Sequence, residues 1–336
     1  MGSRGEMRPV WLVTCGGDEV VSGNMQSTPT PNERVFALPM WLLALLLLIA
    51  EFGMYAWRLA WPAAQRDEWL CALLWMTALP LAVRLFVAFA SYVLSRCKGI
   101  QLKPSQRLGF VAWLKFFLVE YWHLCIQNLL LIPFRALFHT RSERGGGPTD
   151  GSVVLLQHGY VNNGAVWFFT ARALEARGFR VFTIDQPAFA SIDSMGDRLA
   201  VRVDEVLALT GAPQLTLVAH SMGGLVCRAY LRRYGGASIA RLITMGAPHH
   251  GTFHAYLASG PNGAQMRPGN AWLVALGETA VALPFTSIYS IHDTIISPQD
   301  SSVMPGATNV QLSAVGHVSM PSGATARATL LKALEK

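Results

Sequence analysis

Two hydrophobic rhythms divide the chain near residue 150. Before that point, apolar residues run in long blocks. Phe36 to Trp57 is apolar except for Glu51, and its centre, Trp41 to Ala50, has no polar face. Trp69 to Leu94 forms a second block, interrupted by Pro80 and Arg84. Each matches the ~20 residues that a bilayer-spanning helix needs. Leu108 to Phe138 is a third block, but it contains Lys115, Glu120, His123, Gln127 and Asn128. Such groups are costly in hydrocarbon, so this block reads as an interfacial or protein-packed helix.

After residue 150 the runs become short and β-rich, with helical stretches between most of them. The strands predicted are Val153–Gln157, Arg180–Ile184, Leu215–His220, Leu242–Met245, Thr286–Ser290 and Val310–Ser313. Strand-helix alternation predicts an α/β fold: a compact, mostly parallel sheet of about six strands with helices on both faces. The glycine-rich Arg141 to Gly151 reads as a linker. Four sections result: a disordered tail (1–34), membrane helices (35–140), the linker (141–151) and the α/β domain (152–336).

Composition sharpens this picture. Only 14% of the 336 residues are charged and 52% are hydrophobic, against about 25% charged in an average soluble domain. Intrinsic disorder of the whole chain is excluded, and a fully soluble protein disfavoured. Of the net charge of +7, +5 falls within residues 35–150. Arg96, Lys98, Lys103 and Arg107 follow the second apolar block; Arg4, Arg8 and Arg34 precede the first. Between the blocks, Arg58 and Arg66 are offset by Asp67 and Glu68. The positive-inside rule then favours a two-helix hairpin with both ends in the cytoplasm, and with them the α/β domain; if the third block also crosses, the α/β domain lies outside. No basic cluster is interleaved with aromatics as nucleic-acid binding would need. The five cysteines show no C-x-x-C spacing, giving neither a disulfide framework nor a zinc site.

Four short motifs carry chemistry. In Leu217-Val218-Ala219-His220-Ser221-Met222-Gly223-Gly224, a strand runs into a serine flanked by small residues, and a helix follows. This is the arrangement of a nucleophile elbow, with Ala219 in place of the usual first glycine. Gln157-His158-Gly159-Tyr160 ends the first strand. Its turn can aim the Tyr160 N–H at a developing oxyanion, with the Met222 N–H as second donor; His158 reads as a brace for the loop or a wall of the substrate site. Asp293 lies in a loop after the fifth strand, and His317 follows the last one. The order Ser221, Asp293, His317 is that of one serine-hydrolase arrangement. All three fall at the carboxyl edge of the sheet, where open α/β sheets bind ligands.

With these motifs in view, residues 151–336 resemble the compact bacterial lipases of the α/β-hydrolase superfamily. The Ala-His-Ser-Met-Gly-Gly elbow resembles the variant with alanine first. Thr244-Met245-Gly246-Ala247-Pro248-His249-His250-Gly251-Thr252 resembles the Gly-x-Pro-His-x-Gly-[Ser/Thr] stretch of bacterial triacylglycerol lipases. The resemblance implies a Ser221 nucleophile, a His317 base and an Asp293 acid, with no cofactor or metal required. It does not extend to the apolar helices, so secretion cannot be carried over.

The segment Phe253 to Leu283 reads as a short cap, with Tyr256, Leu257 and Trp272 as acyl-chain contacts. Asn162 and Asn163 read as shaping the leaving-group side, and His249 and His250 as turn and packing residues. The expected protein is a membrane-anchored serine esterase or lipase, a multi-pass protein of the bacterial inner membrane acting on lipid esters, with protein partners unspecified. An acyltransferase, a phospholipase or lipid deacylase with the same triad, and a non-catalytic hydrolase-like membrane protein remain alternatives.

Overall fold

A computed structural model describes residues 39–335; the reading of residues 1–34 lies outside them. Helix α1 (Met40–Gln65) and helix α2 (Trp69–Cys97) form an antiparallel pair, each long and apolar enough to cross a bilayer. At 1.5 Å per residue they extend roughly 40 Å. Most of their large side chains face outward, Trp57, Leu70 and Phe86 among them.

The two charges that interrupt the apolar blocks meet each other. Arg84 donates from both terminal nitrogens to the two Glu51 oxygens, each at 2.8 Å. Tyr55 donates to Glu51 at 2.9 Å. The sequence offers Glu51 and Arg84 as separate blemishes; folding makes them one bidentate bond between helices. Breaking such a pair strands a charge, at about 3–5 kcal/mol, whereas removing both ends is often neutral. Arg84→Leu is therefore expected to lower the unfolding midpoint in detergent, and Glu51→Leu/Arg84→Leu to restore most of it. Equal losses in the single and double variants would contradict this.

Helix α3 (Phe110–Ile126) is the third apolar block. It continues through a wider turn at Gln127–Leu131, and a short 3-10 turn, Arg135–Leu137, follows Pro133. Phe110, Val111, Leu118 and Trp122 project outward, whereas Phe116, Glu120 and Gln127 are buried. The start of the linker is docked: Glu175 accepts from the Arg141 and Ser142 amides, at 2.6 and 3.2 Å. The Val181 amide donates to Ser142.

Beyond the linker lie β1 (Val153–Gln157), α4 (Phe168–Glu175), β2 (Arg180–Ile184), α5 (Ile192–Thr210), β3 (Leu215–His220) and α6 (Met222–Tyr234). There follow β4 (Ile239–Met245), α7 (Gly260–Gln265), α8 (Ala271–Gly277), β5 (Phe285–Ser290), β6 (Thr308–Leu312) and α9 (Ala324–Leu334). The six strands form one sheet in the order β2-β1-β3-β4-β5-β6, parallel throughout. Both faces are covered, so alternate residues feed two cores. Leu155, Leu217 and Leu242 pack with α5 and α6; Val154, Leu156, Val218 and Ile243 pack with Trp167 and Leu330. Strand β4 begins three residues before its predicted start: Ile239 and Arg241 pair with Leu215 and Thr216, and the register shifts past the exposed Ala240 between them.

Candidate active site

Because the sheet is parallel, the loops that follow its strands all emerge at one edge. Ser221 links β3 to α6 with φ 56° and ψ −132°, a conformation that non-glycine residues rarely adopt. Such strain costs on the order of 1–3 kcal/mol and needs support from its surroundings. The support is close packing. A Cβ on Gly223 would fall 2.6 Å from the His158 carbonyl oxygen and 2.8 Å from Gln157 Cγ; one on Gly159 would fall 2.7 Å from Ser221 Cβ. The small residues read from the sequence are thus sites where loop and elbow touch.

Asp293 follows β5 and is buried. Its Oδ1 accepts from the Ile295 and Ile296 amides, at 2.8 and 2.7 Å. Its Oδ2 lies 2.9 Å from His317 Nδ1. His317 follows β6 and is 4% exposed. The His220 ring, next to Ser221 in the chain, packs 4.5 Å from the His317 ring, and its Nε2 donates to the His317 carbonyl at 3.1 Å. Burial, then the neighbouring His317, hold the His220 pKa well below the ordinary histidine range. A neutral ring thus lies against the imidazole of His317.

The proposed oxyanion donors occupy the β1 loop and the start of α6. The Met222 amide opens α6, where the first amides have no intrahelical acceptor. The Tyr160 amide belongs to the peptide whose carbonyl, that of Gly159, accepts from His158 Nδ1 at 2.8 Å. In a trans peptide the N–H points opposite the C=O, so His158 fixes the direction of the Tyr160 N–H. His158 Nε2 accepts from the Gln186 amide at 2.9 Å, and burial lowers its pKa. With both nitrogens engaged, His158 braces the loop and is not a contact for substrate. The Tyr160 hydroxyl donates to the Ser259 carbonyl and accepts from its amide, at 2.9 and 2.8 Å. This bond ties the loop to the short segment before α7.

The remaining expectations divide. Tyr256 and Leu257 are exposed at a 3-10 turn, Phe253–Tyr256, and Lys98 beyond α2 lies over Phe253. They remain available at a rim. Trp272 does not: its indole N–H donates to Asp193 and Arg232 lies over its ring, so it packs α8 against α5 and α6. Asn163 is also structural. Its Oδ1 caps the turn at Gly164 by accepting from Ala165, and its amide donates to the Ile132 carbonyl at 2.8 Å.

His249 is buried beside Thr244, with Nε2 3.1 Å from its hydroxyl, and its ring packs on Phe285. His250 bonds the Ser301 carbonyl through Nδ1. Thr252 donates to the Ile295 carbonyl and accepts from the Ser297 amide. The stretch from Gly246 to Thr252 therefore fastens the β4 loop to the Asp293 loop. Gly246, at φ 58°, has no room for a Cβ clear of Asp293 Oδ2 and Met320 Sδ, each 3.0 Å away.

The sequence reading gave Glu120 and Gln127 no part in the site. Glu120 Oε1 accepts from the Val318 amide at 2.6 Å and the Thr294 hydroxyl at 2.7 Å; Oε2 accepts from the Ser319 amide at 2.9 Å. Gln127 donates to the Val318 carbonyl at 2.8 Å, and the Ser322 hydroxyl lies 2.8 Å from His123 Nδ1. Positions 120, 123 and 127 share one face of a helix. That spacing was the available signal.

Residues 152–271 match the family model for the alpha/beta hydrolase fold. Two triacylglycerol lipases are each 32% identical over 108 residues. For the one from Pseudarthrobacter phenanthrenivorans this covers 30% of the chain and 34% of the relative; for the one from Burkholderia plantarii, 30% of each. The chain thus spans about a third of their length. Among solved structures, Aspergillus fumigatus lipase B aligns with a TM-score of 0.52 at 19% identity, over 61% of this chain and 57% of that one. Mature Bacillus licheniformis lipase BlEst2 aligns at 0.50 and 16% identity, over 56% and 94%.

Proposed function

Because the sheet and its covering helices form an α/β-hydrolase fold similar to lipases, we propose that the protein is a membrane-anchored serine hydrolase of carboxylic esters, with lipid acyl esters as its substrate class. The observation that carries this reading is the 2.9 Å contact of His317 Nδ1 with Asp293, at the same sheet edge as the strained Ser221. With Nδ1 holding its proton toward the carboxylate, His317 Nε2 is left to accept one.

In this reading Ser221 Oγ attacks the ester carbonyl as His317 Nε2 takes its proton. The oxyanion forms against the Tyr160 and Met222 amides. Collapse breaks the ester C–O bond, and His317 returns the proton to the leaving alcohol. Water, deprotonated by His317, then attacks the acyl-serine and releases the acid and Ser221. Helices α1 and α2 span the bilayer, with Arg96, Lys98, Lys103 and Arg107 on its cytoplasmic side. Tyr256 and Leu257 would meet acyl chains beside the end of α2.

Turnover of p-nitrophenyl esters from acetate to palmitate, measured in detergent micelles, tests the reading. We expect hydrolysis with a preference for the longer chains. No turnover of any ester by the folded protein would overturn it.

A further inference from the structure

We propose that α3 is part of the catalytic apparatus, with Glu120 as the positioning residue for His317. The proposal rests on His317 being the base. Both backbone polar groups of the next residue, Val318, are held by α3 and its continuation: its amide by Glu120 and its carbonyl by Gln127. The following amide, of Ser319, is also held by Glu120. The His317 amide itself donates to Thr294 Oγ1 at 3.3 Å, and that hydroxyl donates to Glu120. Glu120 thus joins the loop of the base to the residue after the acid.

The packing leaves no slack. A Cβ on Gly316 would lie 2.2 to 2.6 Å from the Glu120 carboxyl atoms, so glycine precedes the histidine because the loop backbone rests on that carboxyl group. The chemistry of position 120 is equally restrictive. Three donors converge on two oxygens. A glutamine offers one acceptor oxygen, and its NH2 group would face a donor.

The other site loops have parallel attachments. Gln299 donates to the Asp293 carbonyl at 3.1 Å and to the Ser95 carbonyl in α2 at 3.4 Å, and accepts from the Ile100 amide at 2.9 Å. Asn163, beyond Tyr160, donates to the Ile132 carbonyl. Base, acid and oxyanion loops are each fastened to the apolar helical region. It follows that this region buttresses the loops of the site.

The test uses the full chain in detergent. Glu120→Gln is expected to lower kcat roughly 10- to 100-fold, the loss that misplacement of a reacting group by about 1 Å produces. KM should stay within about twofold, because the ester-contacting surface is unaltered and the change falls on the transition state. The rate at which a fluorophosphonate labels Ser221 should fall in proportion to kcat. Glu120→Ala should lose more than Glu120→Gln, which keeps one acceptor. Thr294→Val and Gln127→Leu remove neighbouring contacts and should lower kcat in the same manner. Glu120→Gln/Thr294→Val should lose less than the product of its single variants, since both break one network.

Wild-type kcat and labelling rates in Glu120→Gln would overturn the proposal, as would kcat losses that merely follow the folded fraction in thermal unfolding. If Glu120→Ala fails to fold, Gln127→Leu and Thr294→Val decide by the same criterion. His317→Ala separates the two levels. If it abolishes turnover while Glu120→Gln does not alter it, only the positioning role fails; if it leaves turnover intact, the underlying assignment of the base fails.

Discussion

Replacing Ser221 by alanine is expected to reduce ester turnover by a factor on the order of 10⁴–10⁶, with little change in folding. The size follows from the proposed cooperation of nucleophile and base: losing either would leave only the proposed oxyanion donors and binding to act on the substrate. The near-neutral effect on folding follows from local geometry. The strained φ of Ser221 is held by the backbone bond of its amide to the Met245 carbonyl at 3.0 Å and by its own carbonyl accepting from Gly224 at 2.9 Å. Alanine keeps both bonds and the Cβ that packs on Gly159. The measurements are kcat, fluorophosphonate labelling and the unfolding midpoint. Turnover unchanged by the substitution would remove Ser221 from the mechanism.

Asp293→Asn should lower kcat by about 10⁴, near 5 kcal/mol of barrier, and the reason can be traced atom by atom. Asp293 Oδ1 receives two backbone amides, so an asparagine there keeps its carbonyl oxygen on that side. Its NH2 group then faces His317 Nδ1. That nitrogen must become an acceptor, which moves the imidazole proton to Nε2, where it blocks uptake of the serine proton. The variant should fold, since the backbone bonds persist, and it should still bind substrate. A kcat within tenfold of wild type would show that Asp293 does not set the tautomer.

Much of this architecture could be read from the residues. Five of the six strands were placed within two residues at each end, because a parallel sheet buried on both faces produces apolar runs such as Val153–Gln157. The exception, β4, starts at Ile239, where the exposed Ala240 and the shift in register beside it break the apolar run that would mark a strand. The candidates Ser221, Asp293 and His317 emerged because each is punctuated by glycines or a strand end, and their chain order restricts the alternatives.

Side-chain partnerships across the chain were less legible. Trp272 looked like an acyl contact from its apolar segment, yet the partner of its N–H, Asp193, lies 79 residues away. For His158 the pattern leaves brace and substrate wall both open, because the amide that decides for the brace is 28 residues downstream. Glu120 was visible only as an expense in an apolar helix, since the amides that satisfy it are nearly 200 residues distant. Local pattern reports what a residue costs where it stands. It does not report which distant group offsets the cost.

The bond between Arg84 and Glu51 bears on how such a chain would enter a membrane. A lone arginine or acidic residue near the middle of a helix raises the cost of insertion by about 2.5–3.5 kcal/mol. Neither α1 nor α2 would escape that cost while waiting for the other. With only Arg66, Asp67 and Glu68 between them, the two helices can meet before either is committed to lipid. In the bilayer arrangement proposed above, the ion pair would favour partition as a closed hairpin over threading one helix after the other. A chain released after α1 alone would carry Glu51 without its counter-ion into the translocation machinery.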